Sequence, residues 1–151
     1  MRRRLRLCFP VLWYCLIWRF SAQTAVVSGQ LSDRLLRRLL SAVSGVFRLQ
    51  TVKGQTVIVE FLSFYERKTA HMFLYFVLAG LLVFALKPLM KRAEQVNWAA
   101  LTGSGLWAAI DELHQTYIPG RRGQVSDVLV DLTGAALFLG LAWVVHRVRR
   151  S

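Results

Sequence analysis

Acidic residues are scarce in this chain: eight Asp and Glu stand against 20 Lys and Arg, a formal net charge of +12. Such an excess points to nucleic acid when the bases form one stripe. Here they flank apolar blocks, as membrane-interface anchors do, so nucleic acid is not an expected partner. Cysteine is nearly absent as well. Cys8 and Cys15 lie in one apolar run, and their helical spacing of about 10 Å is too wide for a disulfide. There is no C-x-x-C pair, no H-E-x-x-H, no Ser-centred elbow, no phosphate-cradling Gly loop and no nucleotide fingerprint. These absences exclude a disulfide-stapled domain and leave no cofactor or metal to expect.

What the chain has is apolar sequence. It is 55% hydrophobic with a mean hydropathy of +0.41 and five Trp, and these residues arrive in blocks. A length of 151 residues allows one domain. The blocks predict an all-α polytopic membrane bundle with four transmembrane helices, at about residues 5–20, 70–89, 97–112 and 126–146. An amphipathic, interfacial segment at 31–50 fills the first loop. Its Leu31, Leu35, Leu39, Val43 and Val46 share one stripe, with Asp33, Arg34, Arg37, Arg38 and Ser41 largely opposite. Such a helix either lies in the headgroup plane or packs on the bundle. Gly54 marks a break, after which "QTVIVEFLSFYERK" either continues into the next helix or forms a short interfacial one.

The first apolar run has the charged start and short apolar stretch of a signal peptide. Trp18-Arg19 interrupts its end, no clean A-x-A site follows and no secreted polar domain comes after it. A retained membrane helix is therefore expected, with Pro10 as a kink site. Small residues, Gly103, Ser104, Gly105, Ala108 and Ala109 in the third span and Gly134 and Gly140 in the fourth, suit close helix packing in lipid. Arg2, Arg3, Arg4 and Arg6, then Lys87, Lys91 and Arg92, then Arg147, Arg149 and Arg150 fall on one side of a four-span chain. The positive-inside tendency puts both termini in the cytoplasm.

Three polar sets then meet at the outer helix ends. Lys68, His71 and Tyr75 share a helical face. Asp111 precedes His114 and Gln115 by one turn, while Glu112 points about 100° away. Arg121, Asp127 and Asp131 open the last helix beyond a Pro119-Gly120 turn. Ionisable groups at such depth usually face the bundle interior and pair. Plainer roles are open to each: Arg121 or Arg122 paired with Glu112 would fix the hairpin, and Asp127 would cap the last helix. His71 and His114 lack the tight spacing of metal ligands, and His146 reads as an interface residue.

Three marks resemble the VanZ-like family. The first is Phe20, Ser21, Ala22 and Gln23; the second is Lys68, His71 and Tyr75. The third is Asp111, Glu112, Gln115, Tyr117, Pro119, Arg121, Asp127 and Gly134. Asp131 departs from the pattern, which more often carries Asn there. The resemblance implies a bacterial cell-envelope protein of the cytoplasmic membrane, in a family whose founding member is associated with low-level teicoplanin resistance. It implies Lys68, His71, Tyr75, Asp111, Glu112, Gln115, Arg121 and Asp127 as the functional cluster.

Two readings follow. The cluster binds an anionic envelope component, such as a lipid-linked precursor, or a glycopeptide, with Arg121 and Lys68 on phosphate or carboxylate. Alternatively, a membrane-embedded enzyme uses Glu112 or Asp111 with His71 or His114 for acid–base work on a lipid-linked phosphate substrate. A small transporter subunit is a third possibility.

Overall fold

The computed structural model describes residues 5–150, the side chains of Ala25 and Leu31 excepted. Its elements are α1 (Cys8–Ser21), α2 (Ala25–Val43), α3 (Gly45–Leu49), α4 (Val52–Leu86), α5 (Ala93–Gln115) and α6 (Val125–Val148), with no strand among the described residues. The chain is all-helical, as its apolar blocks dictate. Arg2, Arg3 and Arg4, part of the orientation argument, lie outside the described residues.

Local capping sets the helix starts in the first half of the chain. The Thr24 hydroxyl accepts from Val27 N at 3.4 Å, Ser44 from Phe47 N at 3.2 Å and Thr51 from Gly54 N at 3.2 Å. The predicted amphipathic segment is therefore two helices broken at Ser44. Gly54 does not interrupt anything; it sits in the first turn of α4, which runs on unbroken for 35 residues. The helix that holds most of the 70–89 segment thus begins at Val52, and "QTVIVEFLSFYERK" continues into it. The 3.6-residue pattern of "QTVIVEFLSFYERK" continues that of "HMFLYFVLAGLL" without a breaker between them.

At about 1.5 Å per residue, α4 is roughly 52 Å long, against a hydrocarbon core of about 30 Å. Its first half packs against α2 and α3. Ser32 Oγ donates to Glu66 Oε2 at 2.8 Å, Arg37 Nη2 to Thr56 Oγ1 at 3.0 Å and Gln55 Nε2 to the Phe47 carbonyl at 3.2 Å. Ser32, Leu36, Arg37 and Leu40 of α2 are covered, whereas Leu35, Leu39 and Val43 of its apolar stripe, and Val46 of α3, are exposed. The helix does pack on the bundle, but through a face about a quarter-turn away from its stripe.

The second half of α4 joins α1, α5 and α6 in a bundle. Phe9 meets Phe84, and Trp13 Nε1 donates to the Leu74 carbonyl at 2.9 Å, so α1 runs antiparallel to α4. Tyr14 stacks on Trp107 and Trp18 on His114, so α1 runs parallel to α5. Ile17, Tyr75, Leu78, Leu82, Ala100 and Ala108 form the core. The helices alternate in direction, and Arg6 over the Phe84 ring at the foot of α4 shares an end with the α4–α5 loop.

Close packing of α4 on α6 depends on Gly134: any Cβ there would drive into the Met72 carbonyl. Gly140 is different, since a Cβ there meets nothing within 4 Å, so it is not a packing position. Ser104 and Ala108 are buried as expected, whereas Ala109 faces out. By length and composition two helices, α4 and α6, are long and apolar enough to cross a membrane. α1 is apolar but only 14 residues long, and α5 has the length with a lower apolar content.

Candidate functional site

The C-terminal ends of α1 and α5, the N-terminal end of α6 and the middle of α4 surround a cavity of about 550 Å³, flanked by Ser28 and Ser32 of α2. This volume falls within the usual range for small-molecule sites. Register puts the side chains there. Residues 68, 71 and 75 recur on one face of α4, and residues 127, 131 and 134 on the facing side of α6, which runs parallel to it. Lys68 pairs with Asp127. One turn deeper, His71 Nδ1 lies 3.7 Å from Asp131 Oδ1.

A second chain of contacts closes the α1–α5 side. Ser21 Oγ donates to Asp111 Oδ2 at 2.6 Å, Gln115 Nε2 donates to the same oxygen at 3.1 Å, and Arg121 Nη1 donates to Gln115 Oε1 at 3.0 Å. Glu112 accepts the backbone N–H of Gln124 at 2.6 Å. That amide belongs to the residue capping the N-terminus of α6, where a negative charge is favoured by the helix dipole. Glu112, rather than pairing with Arg121 or Arg122, therefore fastens the α5–α6 hairpin through the backbone. Asp127 sits in the first turn of α6 but is not its cap; its side chain goes to Lys68. The Pro119-Gly120 turn forms as expected, with Gly120 at φ 78°, a conformation open to glycine.

Of the eight residues named from sequence, Lys68, His71, Glu112, Gln115, Arg121 and Asp127 line the cavity. Asp111 and Tyr75 are buried behind it, and Asp111 Oδ1 and the Tyr75 hydroxyl have no hydrogen-bond partner. Tyr117 is exposed to the outside. His114 is turned onto the Trp18 ring, at 3.9 Å between centroids. Among the described residues no three His, Cys, Asp or Glu side chains converge as a metal would require.

Arg67, Arg122, Gln23 and Gln124 also line the cavity, and Ser21 holds its wall; none of these belongs to the cluster named from sequence. Gln23 and Ser21 stood in the "FSAQ" stretch, and Arg67 adjoins Lys68, so position along the chain pointed toward them. Nothing in the sequence signalled the backbone contact of Gln124.

The charges on the lining are unevenly committed. Glu66 is held by Ser32, Glu112 by Gln124 and Asp127 by Lys68. Among the described residues neither Arg67 nor Arg121 forms an ion pair with a carboxylate. Burial draws the Arg121 guanidinium below its usual range; Asp111 and Glu112 pull it back up, while Arg67 pushes it further down. Two half-buried guanidiniums, Arg67 and Arg121, thus face the cavity without an ion pair among the described residues, and the exposed Arg122 joins them at its lining. Each offers a planar fork of donors that matches phosphate or carboxylate. Phe20, Phe73 and Leu74 give the same cavity an apolar side.

The VanZ/LLP1 family model matches residues 7–146, which takes in every helix described above but for the last two residues of α6. No curated protein and no solved structure matches the chain.

Proposed function

This chain belongs to the VanZ/LLP1 family, and from that premise we propose that it is a bacterial cytoplasmic-membrane protein whose cavity binds an amphiphile with an anionic head group. The carrying observation is the pair of guanidiniums, Arg67 and Arg121, lining a half-apolar cavity without carboxylate partners. A membrane-soluble ligand suits that mixture: its phosphate or carboxylate meets the guanidinium forks, and its chain leaves along Phe73 and Leu74.

Four crossings are proposed: α1, the second half of α4, α5 and α6. Their outward faces carry exposed Leu12, Leu16, Phe84, Leu106, Ile110, Leu137 and Leu141, a continuous apolar belt that water would not tolerate on a soluble monomer. Arg6, Lys87, Lys91, Arg92 and Arg147 gather at one end, which supports reading that end as the cytoplasmic one. The cavity then opens at the outer boundary. A protein that holds anionic head groups there alters the access of a glycopeptide to its lipid-linked target. On this reading, expression in a teicoplanin-susceptible strain lowers susceptibility, and Arg121→Gln abolishes the effect.

The direct test is native mass spectrometry of the full chain released from bilayers containing phosphatidylglycerol. Wild type should retain the lipid. Arg67→Gln with Arg121→Gln should release it while the thermal transition is kept. Equal retention by the double variant would remove the reading.

Acid–base chemistry on the bound ligand is the second reading, favoured by one observation: His71 lines the cavity with Nδ1 turned toward Asp131, which leaves Nε2 for a substrate proton. Turnover of a lipid-phosphate pool that His71→Gln abolishes would establish it, and no product from any pool would dismiss it.

A further inference from the structure

The carboxylates around the cavity differ in one respect. Three are occupied: Glu66 by the Ser32 hydroxyl, Glu112 by the Gln124 amide and Asp127 by the Lys68 ammonium. Asp131 is the exception. It lines the cavity, its side chain is 3% exposed, and its Oδ1 has no hydrogen-bond partner. The nearest cationic atom, His71 Nδ1 at 3.7 Å, is beyond hydrogen-bond reach.

A buried acceptor without a donor is costly, and a second cost applies here. If Arg67 and Arg121 hold an anion, an ionised Asp131 below them repels it. Both costs disappear when the ligand itself brings a donor. An ionised carboxylate accepts hydrogen bonds and donates none, so what it selects is an O–H or N–H. The geometry supports such a two-part ligand. Asp131 follows Asp127 by one helical turn, about 6 Å along the axis, so the donor site lies below the charged rim on the same face of α6. Behind it, the Tyr75 hydroxyl and Asp111 Oδ1 are likewise without partners, which extends a polar floor suited to bound water.

We infer that the cavity discriminates among anionic amphiphiles by a hydrogen-bond donor on the head group, a hydroxyl or an ammonium, which docks on Asp131 while the anionic group rests between Arg67 and Arg121. This rests on the anion-binding reading of the cavity and adds a specificity determinant to it. Asp131 is a recognition residue in this scheme, with no chemical step assigned to it.

The test compares three lipids with the same phosphodiester in bilayers holding the full chain: phosphatidylglycerol with its hydroxyls, phosphatidylethanolamine with its ammonium, and phosphatidylmethanol with no donor. Native mass spectrometry or lipid competition reads their relative retention. Wild type should prefer at least one donor-bearing lipid over phosphatidylmethanol by about tenfold, the value of one hydrogen bond to a charged acceptor. Which of the two is preferred distinguishes a hydroxyl ligand from an ammonium ligand. Asp131→Asn is close in shape and can present an amide N–H in place of an acceptor, so it should bring the preference close to parity. Equal retention of all three by wild type, with Arg67→Gln and Arg121→Gln still weakening each, overturns this inference alone. A preference that survives Asp131→Asn overturns it too. No retention of any of the three overturns the anion-binding reading with it. The wild-type comparison involves no variant, so a folding defect in Asp131→Asn cannot shield the inference.

Discussion

Ser21 Oγ donates a 2.6 Å hydrogen bond to Asp111 Oδ2 across 90 residues of chain, and both side chains are buried. The contact joins the end of α1 to the end of α5 and makes the first helix part of the cavity wall. Removing the hydroxyl leaves Asp111 with Gln115 as its one remaining donor among the described residues. Ser21→Ala should therefore destabilise the chain by about 1–3 kcal/mol, visible as a lower thermal transition in detergent.

Lys68 and Asp127 bind α4 to the first turn of α6 at the cavity rim. The side chains are 27% and 37% exposed, so solvent screens the pair. A double-mutant cycle with Lys68→Ala and Asp127→Ala should give a coupling of about 0.5–1 kcal/mol, favourable and smaller at high salt. A coupling near zero at low salt would mean that the pair is not maintained in the membrane.

Gly134 and Gly140 provide a matched comparison on one helix. Gly134→Ala sets a methyl against the Met72 carbonyl, which forces α4 and α6 apart at a cost of about 1–3 kcal/mol. Gly140→Ala meets open space and should be neutral or stabilising by up to about 1 kcal/mol from helix propensity. Thermal unfolding of the two variants checks the order, and a larger loss at Gly140 would contradict the packing.

Glu112 fastens the hairpin through an acceptor oxygen on the Gln124 amide. Glu112→Gln retains an acceptor and should keep most of the stability. Glu112→Ala leaves the N-terminus of α6 without its anchor and should lose about 1–2 kcal/mol. Urea or thermal titration of both variants separates this structural role from one that depends on charge.

Much of this was legible in the sequence, and the exceptions have physical causes. Helical periodicity and the i, i+3, i+4 rule placed Lys68, His71 and Tyr75 on one face, and the short loop brought Asp111, Glu112 and Arg121 near one another. Register between helices distant in sequence has no local signature, so the pairing of Lys68 with Asp127 and the approach of His71 to Asp131 could not be read there. Backbone contacts are silent as well: an arginine is one partner the sequence leaves open to Glu112, and its contact is the Gln124 amide. The Leu35–Leu39–Val43 stripe was read as amphipathic, yet which side of α2 meets α4 was settled by Ser32 and Arg37 finding Glu66 and Thr56. Gly54 was read as a breaker because glycine is a poor helix former, but within a first turn that cost is easily met.

The most direct measurement of the central claim is the proximity of the Arg67 and Arg121 guanidiniums to a lipid phosphorus. With ¹⁵N-arginine in the full chain and phosphatidylglycerol in the bilayer, solid-state nitrogen–phosphorus dipolar dephasing reports that contact. Wild type should show a rapidly dephasing guanidinium signal that disappears in Arg67→Gln with Arg121→Gln, while the signals of the remaining arginines are unchanged. The same rapid dephasing in the double variant would assign the contact to other arginines and contradict Arg67 and Arg121 as the site of anion binding.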